Sequence, residues 1–86
     1  MKEHNWHVYL VRCSDDTLYC GITNNIERRL KAHNEKKGAK YTRCRTPVVL
    51  VVSVGPMSKS DALKLEYKVK QQPRKDKIKF LESYKL

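Results

Sequence analysis

Eighty-six residues with a net charge of +10 and 40% apolar side chains allow one compact core, because a chain this short buries only roughly 60% of its unfolded surface. No run approaches the ~20 apolar residues of a membrane span, and residues 1–6 (MKEHNW) form no apolar signal region, so neither export nor a membrane partner is expected. Three cysteines, Cys13, Cys20 and Cys44, are odd in number and far apart. They fit reduced thiols in a cytoplasmic protein better than a disulfide framework, and no close C-x-x-C or Cys/His pair suggests structural zinc.

In chain order, Trp6 to Cys13 (WHVYLVRC) is rich in β-branched and aromatic residues and predicts a strand buried on both faces. Ser14-Asp15-Asp16 is turn chemistry, and Thr17 to Ile22 (TLYCGI) predicts a second strand, so the two form a hairpin. Gly21 inside that strand marks a bulge or a close backbone approach. Thr23, Asn24 and Asn25 offer N-cap side chains. Ile26, Leu30 and His33 then recur at helical spacing, predicting a helix that fades by Gly38. Glu35 to Pro47 reads as a basic loop. Val48 to Val54 (VVLVVSV) is the most apolar run, and its β-branched content predicts a central strand. Gly55-Pro56 breaks the chain. Ser58 and Asp61 resemble a capping box, opening a helix with Ala62, Leu65 and Val69 along one face. Pro73 ends it, because proline disfavours the helical conformation at Gln72. Ile78, Phe80, Leu81 and Tyr84 predict a short closing helix. The order β-β-α-β-α-α describes an α+β domain over residues 1–86, a small sheet with helices packed on it.

Charge is uneven along this plan. Residues 1–23 are net −1, whereas residues 24–45 carry eight basic and two acidic side chains and residues 59–79 carry eight and three. Two basic blocks flanking an uncharged stretch suggest a polyanion partner, since lysine and arginine release counterions when they neutralise phosphates. The plain alternative is a solvated surface kept soluble by lysine.

Tyr9 and Tyr19 lie on paired strands and can come near one another. Arg29 and His33 are four apart, on one helix face, and Glu66 sits beside the apolar stripe of the second helix. Together they form a candidate phosphodiesterase site: a carboxylate to hold Mg²⁺ or Mn²⁺, an arginine to neutralise charge on phosphoryl oxygens, and a group to deprotonate water. Each alone also has an ordinary reading. A strand tyrosine is commonly core, Arg29 a solvated helix residue, His33 a helix-end residue favoured by the dipole, and Glu66 a partner for Lys70 four residues on.

These segments resemble the GIY-YIG superfamily. His7-Val8-Tyr9 looks like its first motif, and Tyr19-Cys20-Gly21, after nine intervening residues, like its second. IERRLKAH is similar to the family's helix pattern, with Arg29 and His33 at the matching places. DALKLEYKVK resembles the helix that bears the metal-binding glutamate, here Glu66. The GAKYT segment looks like the small stand-alone bacterial branch of the UPF0213 type. The resemblance implies a three-stranded antiparallel sheet flanked by helices, and hydrolysis of DNA with one divalent cation, Mg²⁺ or Mn²⁺, held by Glu66. Arg29 would stabilise the phosphorane-like charge. One tyrosine would act as general base and the other would position water or phosphate, with His33 assisting. A phenol near its usual pKa of about 10 needs neighbouring positive charge for such a task. His7 stands for the motif's glycine and Cys20 for its isoleucine, positions of backbone placement or core filling.

Backbone affinity is expected from Arg28, Lys36, Lys37, Lys40, Tyr41, Arg43 and Arg45, contacts that position a nucleic acid without specifying its sequence. Two readings follow. One is a structure-selective or weakly sequence-specific DNA endonuclease. The other is a nucleic-acid-binding module, for DNA or RNA, that cuts slowly or not at all. Homing, restriction and repair members carry a separate targeting region; none is read in these residues, so a protein partner that supplies targeting belongs to either reading.

Overall fold

The structure, a computed structural model, describes residues 4–37, 42 and 45–85. Three strands form one antiparallel sheet in the order β2-β1-β3: β1 (Trp6–Arg12), β2 (Leu18–Thr23) and β3 (Val49–Met57). Helix α1 (Ile26–Asn34) follows the hairpin, while α2 (Lys59–Gln71) and α3 (Arg74–Glu82) follow β3. This is the expected α+β order. No helix among the described residues is long and apolar enough to cross a membrane.

Alternation along β1 divides the core. Tyr9, Val11 and Cys13 pack with Val48, Ile26 and Leu30 on the α1 side. Val8 and Leu10 pack with Cys20, Val52, Ala62, Leu65, Val69 and Leu81 beneath α2 and α3. Helix α2 lies over β1 and β2, and α3 over β3. With helices on both faces, Val8 to Val11 are buried consecutively, as the unbroken apolar run of β1 predicts. Cys13 and Cys20 are free, buried thiols in opposite halves of the core.

The hairpin register runs without a break from His7 opposite Thr23 to Arg12 opposite Leu18. Its turn is held by Asp15, whose carboxylate accepts from the Thr17 hydroxyl (2.6 Å) and backbone N–H (3.2 Å). The Thr17 hydroxyl bond is the main reason the Asp15 carboxyl lies below the usual carboxylate range. The caps are also as expected. The Asn25 side chain accepts from Arg28 N–H (3.0 Å), and Ser58 Oγ from Asp61 N–H (3.1 Å). Gln72, before Pro73, is extended at φ −80° and ψ 146°, which stops α2.

Two expectations need correction. The apolar run after Pro47 is an edge strand, with β1 in the centre, and Val49 is left 64% exposed. Strand β3 also continues through Gly55-Pro56 to Met57. An edge strand has one set of backbone groups without a ladder partner, so proline is tolerated there. The register absorbs the extra length: between Trp6–Met57 and Val8–Val54, β3 has one residue more than β1.

The α1 helix is fastened to the sheet by Asn34. Its Oδ1 accepts from Val48 N–H (2.7 Å) and its Nδ2 donates to Val48 C=O (3.2 Å), as a neighbouring strand would. Asn34→Ala would strip both partners from a backbone unit that is almost fully buried. Leaving such groups unpaired costs about 1–3 kcal/mol, which urea denaturation should register as a lower midpoint with little change in slope.

Candidate active site

Four of the five predicted residues come together on the α1 side of the hairpin. Because Tyr9 pairs with Gly21, and Val11 with Tyr19, the tyrosines are diagonal neighbours on one face, their ring centroids 6.4 Å apart. Helix α1 lays Arg29 and His33, one turn apart, over this pair. The Tyr9 hydroxyl lies 3.0 Å from His33 Nε2, and Arg29 Nε donates to the same oxygen at 3.3 Å. Tyr19 is a further, smaller influence that keeps Arg29 cationic, so the guanidinium acts on both phenols. His33 is edge-on to Tyr19, with centroids 5.5 Å apart.

Gly21 makes this packing possible. A Cβ there would lie 2.6 Å from Tyr9 Oη, 2.9 Å from its Cζ and 3.2 Å from Tyr19 Cε2. The glycine is therefore a close approach and not a bulge, since the hairpin register is continuous around it.

Burial sets the charge states. It pushes the Tyr9 phenol above its usual pKa, while the Arg29 hydrogen bond acts in the opposite direction. Burial, and after it the Arg29 cation, holds His33 below the usual imidazole value, so the ring is neutral at pH 7. The hydrogen bond to Tyr9 is the largest influence keeping Arg29 cationic. His33 Nδ1 lies 2.7 Å from Thr42 Oγ1, and both residues are fully buried.

Glu66 stands apart. It is on α2, across the sheet, with its side chain 19% exposed and its carboxylate 3.3 Å from Lys70 Nζ, the i,i+4 pairing its spacing also predicts. It nonetheless reaches β2: its charge is the second influence, after burial, that pushes the Cys20 thiol up to about 12. Cys20 and Tyr19 are successive residues of β2 and point to opposite faces, so Glu66 acts on the face of β2 opposite to Tyr19. A hollow of about 260 Å³ opens at the edge, lined by Leu18, Tyr19, Cys20, Lys70 and Lys77. Among the described residues no three His, Cys, Asp or Glu side chains gather as in an all-protein metal cage.

Of the basic residues expected to touch nucleic acid, Arg28, Lys36 and Lys37 are exposed. Arg45 is half-buried and its Nε pairs with Asp15 at 2.9 Å. Lys40, Tyr41 and Arg43 lie outside the described residues. Thr42 and Asn34 were not singled out by sequence. Thr42 lies inside GAKYT, where a hydroxyl in a basic loop reads as surface, and no local spacing marks it as a partner of a histidine nine residues earlier.

Comparison with known domains fixes the class. Residues 5–79 match the model of the GIY-YIG catalytic domain, so the chain belongs to the GIY-YIG family of nucleases. Within it, the chain groups with the UPF0213 proteins. It is 49% identical to UPF0213 protein SH2523 of Staphylococcus haemolyticus over 82 residues, 95% of this chain and 98% of that protein. It is likewise 49% identical to a UPF0213 protein of Nitratidesulfovibrio vulgaris over 73 residues, 85% of this chain and 66% of that one. The solution structure of protein EF2693 from E. faecalis is 34% identical and superposes with a TM-score of 0.63, covering 98% of this chain and 91% of that one.

Two measurements test the packing and the charge states. Gly21→Ala forces Tyr9 out of place, and such overpacking costs about 1–3 kcal/mol, readable as a drop in urea midpoint with a displaced Tyr9 ring signal in NMR spectra. The second concerns pH. Folded His33 resists protonation and the unfolded chain does not, so below the unfolded pKa of about 6.5 the unfolded state binds more protons. The stability contributed by neutral His33 is present above that value and is lost as pH falls through the lower folded pKa. Wild type should therefore lose stability between pH 7.5 and 5 more steeply than His33→Gln in parallel denaturation series.

Proposed function

We propose that the chain hydrolyses phosphodiester bonds of DNA as a structure-selective or weakly sequence-specific endonuclease. The observation that supports this most directly is the hydrogen-bonded group of Arg29, Tyr9 and His33. It joins a fixed cation to a phenol whose proton has somewhere to go.

As water attacks phosphorus, Tyr9 Oη takes one of its protons and passes its own to neutral His33 Nε2. The water O–H bond breaks, a new O–H bond forms on Tyr9, and the original phenol hydrogen ends on the imidazole. A positioned acid–base group of this kind contributes about 10²–10⁴-fold. Arg29, held on the Tyr9 hydroxyl, stabilises charge that develops on the phosphoryl oxygens. Tyr19, half-buried in the wall of the hollow, orients the phosphate. Exposed Arg28, Lys36 and Lys37 give salt-dependent backbone affinity, and DNA is preferred over RNA as substrate.

The donor set fits one divalent cation. A hard carboxylate oxygen on a partly exposed side chain suits Mg²⁺ or Mn²⁺, which binds through one or two carboxylates and otherwise keeps water and substrate oxygens. Glu66 would hold it once Lys70, whose side chain is exposed, swings aside. When bound, such an ion supplies Lewis-acid stabilisation of the phosphate and the leaving oxygen.

The Glu66–Lys70 pair also favours a second reading. If the lysine keeps its place, the domain binds nucleic acid without cutting it.

Incubation of supercoiled plasmid and branched DNA with wild type, Glu66→Ala and His33→Ala, in Mn²⁺ or EDTA, separates the two. Nuclease action predicts nicking by wild type that EDTA abolishes, loss of nicking in Glu66→Ala, and a rate lower by about 10²-fold or more in His33→Ala. Equal nicking by wild type and Glu66→Ala would refute the metal assignment. Salt-dependent binding without cleavage by any form would select the second reading.

A further inference from the structure

Hydrogen bonds run in series from the surface into the core: Arg29 Nε to Tyr9 Oη at 3.3 Å, Tyr9 Oη to His33 Nε2 at 3.0 Å, and His33 Nδ1 to Thr42 Oγ1 at 2.7 Å. Their directions follow from what each group has to give. Arginine only donates, so Tyr9 Oη accepts from it. Tyr9 is 1% exposed and must still place its own hydrogen, and the lone pair that faces it is on His33 Nε2. That nitrogen therefore carries no hydrogen. A neutral imidazole has its hydrogen on one nitrogen or the other, which leaves Nδ1, pointed at Thr42. In the opposite tautomer the Tyr9 oxygen would meet two donors, and the phenol hydrogen would be buried without an acceptor.

We propose that Thr42 is a positioning residue: its hydroxyl oxygen accepts Nδ1–H and holds His33 in the tautomer whose Nε2 receives the Tyr9 proton. The state of the other ring nitrogen commonly decides which histidine nitrogen is available for chemistry. Thr42 is itself held in place. Its carbonyl accepts from Arg45 N–H at 3.0 Å, the Arg45 carbonyl accepts from Ser14 N–H at 2.8 Å, and Arg45 Nε pairs with Asp15. The β1–β2 turn thus anchors Arg45, whose N–H in turn holds the Thr42 carbonyl. The tautomer stands on geometry alone, whereas its effect on rate rests on the nuclease reading.

The test is a long-range ¹H–¹⁵N spectrum of the histidine side chains at pH 7.5 for wild type, Thr42→Val and Thr42→Ser, with His33→Gln to assign the signal, amide spectra to check folding, and plasmid cleavage in Mn²⁺. Wild type and Thr42→Ser should show the Nδ1–H pattern at His33. Thr42→Val, which keeps the shape and loses the hydroxyl, should shift toward Nε2–H while its kcat falls about 10²-fold and its KM does not change. An Nε2–H pattern in wild type overturns the proposal, as does an unchanged tautomer and kcat in folded Thr42→Val. Should Thr42→Val not fold, the wild-type and Thr42→Ser spectra decide. If wild type cleaves nothing, the nuclease reading fails and the spectra still decide what Thr42 does.

Discussion

A phenol hydroxyl placed in the middle of the sheet constrains everything packed above it. Tyr9 sits on the central strand at 1% exposure, and an unpartnered buried hydroxyl would cost about 1–3 kcal/mol of the 5–15 kcal/mol that hold a typical domain together. The α1 helix meets that demand by bringing Arg29 and His33 over the ring. Its own placement depends on Asn25 at one end and Asn34 at the other. Gly21 is the complementary condition, a missing side chain that leaves the phenol room.

The two faces of the sheet carry different duties. Beneath α2 and α3 the packing is aliphatic, with Ala62, Val69 and Leu81 fully buried, and most of the stability from apolar burial arises there. On the α1 side, aliphatic contacts are fewer and polar groups are buried among them. Such a network is favourable only when every member is satisfied, so the α1 face is fixed in geometry. Glu66 belongs structurally to the aliphatic side, paired with Lys70 and acting on Cys20 of β2.

Much of this was legible in the sequence because the signals are local. The hairpin turn at Asp15, the caps at Asn25 and Ser58, and the stop at Pro73 depend on neighbours in the chain. The shared face of Arg29 and His33 follows from helical period alone. What escaped depends on pairing between distant segments. Apolarity predicts that residues 48–54 are buried, but not whether β1 or β3 takes the centre of the sheet. A Gly-Pro pair reads as a break unless the strand is known to be an edge. The helical stripe places Glu66 beside the core without saying which face of the sheet α2 covers. Thr42 acquires its partner only in the folded chain, where it meets a histidine nine residues earlier.

The hairpin turn lies at the far end of β2 from Gly21, yet it works as a registration pin for the candidate site. Sliding β2 by one residue would exchange Tyr19 and Cys20 between faces, sending a phenol into the aliphatic layer and a thiol to the guanidinium. Against that slip stand charges gathered on two adjacent aspartates: Arg45 on Asp15, and Arg12 and Arg74 on Asp16. Each exposed pair is weak by itself. Together they draw on β1, α3 and the loop before β3, so a frame-shifted hairpin would break several contacts at once. The alignment of the tyrosines is thereby tied to an acidic corner that takes no part in their chemistry.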